Sequence, residues 1–563
     1  MSQWSGAGVE LRVYKYLLLA FVACITVTSA EVIRQISFNE MLRFHRNSGG
    51  IDTSVFVDAL PIPPTIRVNG RTKQIQMIAR EGRNVFYRDL PATKVWGFNG
   101  VNPGPTIEVE SGQDLEVLWK SELPKEHLIP LDSHFMAGMR NSGPGALPAV
   151  RTVTHLHGAR VQDSITAQDR FHNNDGWPDA WIVPGQTQIA HYPNQQSART
   201  LWYHDHAMGA TSRNVVAGLL GLYIIRDNVE RSLHLPSGNF EIPLIFETKD
   251  FNDDGSLTYP SRMTAEVYGG TVPVNGKICP FLNVEPRKYR FRMLDAATAR
   301  SFAFKLINAE DQSDGPAMIQ IGSDGGFLER PLLLNAPNRA DSPRLVLAPA
   351  ERADVIVDFS HFAGKTLLLQ NNFQSVAGEG ELSIPNIMIF KVGARVSSPD
   401  LSRIPAILTP VPRLVETSAV KTRKIVLSQV LTPNLPPVMM LNEKVWGDPI
   451  EESPRANTTE IWEIINTLPD SHPFHMHLVQ FQVLDRSMFD VPYYEQTKMI
   501  KYISAPGLPE PSEFGWKDTV VAYPNTVTRI IMQFGPYTGR YAFHCHILEH
   551  EDMGMMRPFE VIK

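Results

Sequence analysis

Between Tyr541 and Arg557 the chain reads YAFHCHILEHEDMGMMR, with a cysteine between two histidines, a third histidine five residues after the cysteine, and a methionine ten after it. A strand sends successive side chains to opposite faces, so Cys545 points one way while His544 and His546 point the other. One short strand can therefore serve metal on both sides. On the cysteine face, a soft thiolate with two imidazoles and a weak thioether is the ligand set of a blue-copper electron-transfer centre. On the opposite face, two imidazoles whose Cα atoms lie roughly 7 Å apart suit a second, separate cluster.

Three more His-x-His pairs lie upstream: His155/His157 in THLHG, His204/His206 in WYHDHAM, and His475/His477 in HPFHMH. Each pair shares one face of a strand. With His472 and His550, these motifs take up ten of the chain's 17 histidines. One such pair alone is unremarkable, but four, one of them bracketing a cysteine, mark metal chemistry.

At these residues the chain resembles the multicopper oxidases, and most closely the bacterial spore-coat laccase and bilirubin oxidase branch. The likeness runs from about Asn102 to the C-terminus through HLHG, YPNQQ, LWYHDHAM, EPRKYRFR, IGSDGG, LAPAERAD, HPFHMHLV, GWKDT, FGPYTGRY and HCHILEHED. The resemblance implies four copper ions. A type 1 copper would be held by His472, Cys545 and His550, with Met555 as axial ligand; Met553 and Met556 are the neighbouring alternatives. His155 and His475 would hold a type 2 copper. His157, His204, His206, His477, His544 and His546 would hold a binuclear type 3 pair. Glu551 and Asp175 occupy positions that lie beside the cluster in the family, where they would supply protons; an ordinary solvated loop carboxylate is the alternative for both. An extra stretch between Gly158 and Asp175 departs from the closest relatives. Asp518 either fixes a histidine tautomer or caps a turn.

The elements that must position these residues are strands. Strand-period stretches recur at Thr106 to Trp119, Tyr289 to Leu294, Ala353 to Phe359, Glu460 to Ile465, Thr528 to Phe534 and Arg540 to His546, with turn residues between them. An internal repeat begins at Asn102, Asn275 and Leu441, and its spacing of roughly 170 residues sets three domains of similar size. Each is long enough for a Greek-key β-barrel or sandwich. The resemblance makes the chain all-β, with three cupredoxin-like Greek-key β-barrel domains. The expected layout is a signal peptide over 1–30, domain 1 over 31–230, domain 2 over 231–400 and domain 3 over 401–563. Linkers are expected around Arg226 to Asn239 and Ser397 to Pro412. Domains 1 and 3 carry the ligand pairs, so the cluster must lie between them, with domain 2 as a spacer. Asp205 stands in domain 1 where Cys545 stands in domain 3, so domain 1 lacks a thiolate.

Composition narrows the rest. A formal charge of −6 with mixed signs gives no nucleic-acid or anionic-membrane signature. Arg12 and Lys15 precede the apolar stretch Leu17 to Val27 and the small residues Thr28-Ser29-Ala30, which reads as a secretory signal and implies a secreted or periplasmic protein without a membrane span after cleavage. Of the three cysteines, Cys24 would leave with that signal, and Cys279 is expected to be a buried free thiol, because pairing it would remove the thiolate of Cys545. Asn457-Thr458-Thr459 is a glycosylation acceptor sequence in a eukaryotic host.

The expected activity is laccase-like. Phenols or aromatic amines give up one electron at a time, dioxygen takes four to become water, and Cys545 links entry site to oxygen site through the backbone of HCH. A bilirubin oxidase, or an oxidase of ferrous, cuprous or manganous ions, is the alternative. A metal oxidase needs acidic or methionine donors beside the type 1 site; domain 3 offers Glu443, Glu451, Glu452, Glu510 and Glu513, and no long Met-rich insertion appears. A copper-free structural relative is disfavoured by the full ligand set, and a nitrite reductase by the three repeats. Electron entry is expected near the surface, with His472 and His550 at the exposed edge.

Overall fold

The computed structural model describes residues 53–132, 147–166, 169–339, 341–373, 384–431, 433 and 436–563. Cys24 and the signal-like segment lie outside them. Two units are distinguished, Met1–Val55 and Phe56–Lys563; of the first, the described part is the 3-10 turn Thr53–Val55, and everything below concerns the second. Among the described residues no helix is long and apolar enough to cross a membrane.

Alternating apolar strands pair into three two-sheet domains, each closed around its own core. In the N-terminal domain a five-stranded sheet (Thr65–Arg67, Thr106–Glu110, Leu220–Arg226, Arg199–Asp205, Thr154–His157) faces a four-stranded one (Thr93–Phe98, Gln74–Asn84, Leu115–Glu122, Thr187–Tyr192) across Trp96, Trp119 and Tyr203. In the C-terminal domain the five-stranded sheet is Val438–Leu441, Ala419–Val430, Thr459–Asn466, Thr526–Gln533 and Phe481–Met488. It packs on a four-stranded sheet, Thr519–Ala522, His472–Met476, Gly539–Cys545 and Met556–Val561, across Trp462, Phe474 and Phe543. The middle domain packs a six-stranded on a seven-stranded sheet around Phe291, Phe304 and Phe390. Burying each of these aromatic side chains contributes on the order of 2–3 kcal/mol.

Local differences from the sequence reading have local causes. The stretch Thr106 to Trp119 is two strands in different sheets, because Ser111-Gly112 turns the chain with Gly112 at φ +74. The expected linker at Arg226 to Asn239 holds the short helix Asn228–Ser232, where the Asp227 carboxylate accepts from the Glu230 amide. Asp58–Ala59, inside the expected domain 1 span, pairs with Pro280–Phe281 and so extends the middle domain's sheet. Cys279 is half-buried rather than buried.

Candidate metal centres

Strand register does most of the assembly. In the N-terminal domain the strands Thr154–His157 and Arg199–Asp205 run antiparallel with His155 opposite His204. In the C-terminal domain His472–Met476 and Gly539–Cys545 run antiparallel with His475 opposite His544. Because neighbours two apart share a face, each register brings two His-x-His pairs onto one surface, and the two domains set those surfaces against each other. The ligand nitrogens of three trios each come within 4.8 Å of one another: His155, His157 and His475; His157, His204 and His546; His206, His477 and His544. Every trio draws on both domains.

Ring orientation is set by what holds the far nitrogen. His155 Nδ1 pairs with the Asp175 carbonyl, His475 Nδ1 with the Asp518 carbonyl at 2.8 Å and His204 Nδ1 with the Asp205 carbonyl at 2.8 Å. The Nε2 atoms of these three rings are buried with no protein partner. His157 is turned the other way: its Nε2 lies 3.1 Å from Asp518 Oδ1 and its Nδ1 is the orphan. His477 Nε2 lies 3.2 Å from His206 Nε2 and 3.3 Å from His544 Nε2. Burial pushes His155, His157, His204, His475, His477 and His546 well below the ordinary histidine value, so they are neutral at pH 7. Neutral, converging, unpartnered imidazole nitrogens are what a cation needs and what a protein core otherwise avoids.

Three carboxylates attend the cluster, and the two nominated from sequence are both buried against it, so neither is a solvated loop residue. Asp175 Oδ2 lies 2.8 Å from His477 Nδ1, and burial holds its carboxyl well above the usual range. Glu551 bridges His206 Nδ1 at 3.0 Å and His544 Nδ1 at 3.2 Å, and accepts from the Thr211 hydroxyl at 2.7 Å. Burial pushes Glu551 up, but His206 and His544 pull it down by more, so it stays a carboxylate. Asp518 touches His157 with its side chain and His475 with its backbone, which decides against a mere turn cap. Asp205, at the cysteine's register position, instead ties its own loop through the Val153 and Ala207 amides and Asn214.

On the other face of the cysteine strand, Cys545 Sγ lies 3.4 Å from His472 Nδ1 and 3.6 Å from His550 Nδ1, with the two nitrogens 3.2 Å apart. Burial pushes the thiol well up, so its thiolate needs a cation beside it. Met555 is buried in the same core as Cys545; its carbonyl accepts from the Cys545 amide at 3.0 Å and its amide donates to the His550 carbonyl at 2.9 Å. Met553 shares that core, whereas Met556 packs with Met208 and Trp446. His544 and His546, on either side of Cys545, belong to different histidine trios.

One expectation is corrected. His472 and His550 are not at an exposed edge: they are 0% and 1% exposed. Part of what covers them comes from the middle domain, where Met263, Ala265 and Tyr268 pack in or against the core that holds Cys545 and Met555, their segment tied down by Thr298 on the Val267 carbonyl, Arg300 on the Tyr268 and Gly269 carbonyls, and the Tyr259 hydroxyl on Glu549. Within this cover Glu266 Oε1 lies 2.9 Å from His550 Nε2, with its side chain 19% exposed. None of the domain 3 acids picked from sequence does this. Glu443, Glu451 and Glu513 pair with Lys498, Lys444 and Arg486, Glu452 accepts from Asn442, and Glu510 caps a turn. Glu266 carries no motif, and only its position in the fold reveals it.

Two family profiles described as multicopper oxidase match residues 146–230 and 420–563, which hold both sets of histidine pairs. The laccase of Bacillus subtilis (strain 168) is 40% identical, over 90% of this chain and 98% of its own length. The chain belongs to the multicopper oxidases. The bilirubin oxidase of Albifimbria verrucaria is 33% identical over 90% of the chain and 81% of its own length. The crystal structure of a laccase from Pediococcus acidilactici superposes with a TM-score of 0.70 at 28% identity, covering 90% of this chain and 94% of that one. As a multicopper oxidase the chain is a copper-dependent oxidoreductase with dioxygen as acceptor, and its three β domains are the cupredoxin-like domains of the family.

Proposed function

We propose that this multicopper oxidase is a laccase that binds four copper ions. His472, Cys545, His550 and Met555 would hold the type 1 ion. His155 and His475 hold the type 2 ion. His157, His204 and His546 hold one type 3 ion, and His206, His477 and His544 the other. The observation that carries this reading is the position of Cys545, with one neighbour in each of two histidine trios and its thiol on the other face. Copper bound at these sites would accept electrons singly at the thiolate and deliver four to dioxygen, yielding water.

The chain's own residues do the rest. The peptide bonds on either side of Cys545 give a short bonded route between the two faces. Glu551, anionic and hydrogen-bonded to Thr211, takes protons arriving through buried polar groups and hands them on beside His206 and His544. Asp175, its carboxyl held above the usual range by burial, is the second acid group beside the cluster, against His477. The middle-domain cover excludes water from the thiolate side and leaves Glu266 as the polar contact for a reductant at His550. Phenols and aromatic amines, which donate hydrogen bonds, are the proposed substrates. The layout given above, with a secretory signal over 1–30, domains over 31–230, 231–400 and 401–563, and a secreted or periplasmic location, completes the proposal.

Glu266 also favours a second reading, oxidation of a metal cation such as ferrous iron. Steady-state kinetics with a phenol, bilirubin and ferrous iron, run on wild type and Glu266→Gln, separate the two. A laccase prefers the phenol and loses little of that preference in the variant. A kcat/KM highest for ferrous iron, falling tenfold or more in Glu266→Gln, would replace the laccase reading with the metal-oxidase one.

A further inference from the structure

The histidine cluster lies between the first and third domains, yet one cation from the second reaches it. Arg352 opens the middle-domain strand Arg352–Asp358 and is buried, as is Asp518. Its NH1 donates to Asp518 Oδ1 at 2.8 Å and its NH2 to Oδ2 at 2.5 Å, the two-pronged fork that fixes a carboxylate's plane as well as its position. Its remaining donors are also used: Nε on the Thr200 carbonyl at 3.2 Å and NH1 on the Ala350 carbonyl at 2.8 Å. One guanidinium thus ties Thr200 of the N-terminal domain and Asp518 of the C-terminal domain to the middle one.

Asp518, like Glu551, has a hand on two of the proposed copper ligands, His157 through Oδ1 and His475 through its carbonyl. Behind it, Asp324 accepts from the Arg352 amide at 2.8 Å and from Lys517 Nζ at 2.8 Å, and Lys517 reaches Glu351 at 2.7 Å. The pair is built hard against the backbone that follows His157. A Cβ on Gly158, which has φ +88, would meet Asp518 Oδ2 at 2.7 Å and Arg352 NH2 at 2.9 Å. A buried ion pair is weak support for stability in itself, because desolvation offsets much of the attraction. Its geometry does something else. A carboxylate held in this plane accepts the Nε2–H of His157, and the ring is then left with Nδ1, the atom without a protein partner, turned inward.

We infer that Arg352 is a positioning residue for the oxygen-side cluster: it locks Asp518, which in turn selects the tautomer and ring orientation of His157 and steadies His475. The inference rests on the copper reading above, and it gives the middle domain a part beyond spacing.

The test uses the copper-loaded enzyme as wild type, Arg352→Gln, Arg352→Lys and the neutral pair Arg352→Gln/Asp518→Asn, which leaves no lone charge buried. Three quantities are read: bleaching of the blue band by a phenol, its return on adding dioxygen, and the type 2 copper signal by electron paramagnetic resonance. In Arg352→Gln, bleaching should match wild type, while re-oxidation slows about 10- to 100-fold and the type 2 signal changes or is lost. Arg352→Lys keeps the charge without the fork and should fall between. If Arg352→Gln does not fold, the neutral pair is read by the same criteria. Unchanged re-oxidation with an unchanged type 2 signal would overturn the inference, as would equal slowing of bleaching and re-oxidation. A wild type without copper or blue colour would instead overturn the copper reading itself.

Discussion

The two faces of the cysteine strand solve opposite problems with the same side-chain chemistry. The thiolate face is assembled from one domain: His472, Cys545, His550 and Met555 lie within 84 residues of one another along the chain, in a single core, with one carboxylate, Glu266, at its rim. The opposite face takes four histidines from each of two domains and sets Asp175, Asp518 and Glu551 among them. Passing an electron requires a rigid, dry ligand set and no proton. Reducing dioxygen consumes protons, so the second face must combine neutral imidazoles with carboxylates in a core that would otherwise reject them.

The sharpest way to break this contrast is to remove one ligand from each face. Cys545→Ser should lose the blue charge-transfer band and fall to background turnover. His204→Ala should also fall to background turnover, yet stay blue and bleach with a phenol. If both variants lose their colour together, the faces are not independent. Next in size is proton supply. Glu551→Gln keeps shape but removes the titratable group, and turnover with full copper should drop by about 10². Bleaching by the phenol should be unaffected, and a variant that turns over like wild type from about pH 4 to 8 would make Glu551 a structural contact.

Smaller effects sharpen the comparison. Gly158→Ala places a methyl group against the Arg352–Asp518 pair at a left-handed backbone position, and should cost roughly 1–3 kcal/mol of stability. Thermal denaturation would show it, with re-oxidation by dioxygen affected more than bleaching; a wild-type melting temperature would mean the pair moves aside freely. The least disruptive change is Met555→Leu, which should keep its copper and raise the potential of the thiolate site in a redox titration, since a thioether is a weak, long ligand there. Loss of copper, or a lower potential, would place the axial role elsewhere, Met553 being the neighbour in the same core.

Much of this was legible in the sequence because the code is local. Residues two apart share a strand face, so HLH, HDH, HMH and HCH could be read as ligand surfaces before any fold was known. The repeat then put the cluster between domains 1 and 3, and each of the three histidine trios draws on both; the registers that face His155 with His204 and His475 with His544 came only with the fold. Glu551 was nominated by the family resemblance alone, since it lies on the helix Leu548–Asp552 and meets His206 and His544 rather than its neighbour His550. Glu266 and Arg352 were not legible. Glu266 is 284 residues from the histidine it touches and Arg352 is 166 from Asp518. The expectation of an exposed His472 and His550 failed likewise, because part of their cover is contributed by another domain.

By itself, then, the sequence determined the all-β architecture and the kinds and spacings of atoms that can hold metal, since strand periodicity acts over two residues and needs no partner. Tertiary structure alone decided which nitrogen of each ring faces inward, which carboxylates are desolvated and what covers the thiolate site. Those depend on hydrogen bonds and burial between segments hundreds of residues apart, whose free energy exists only once the three domains have packed.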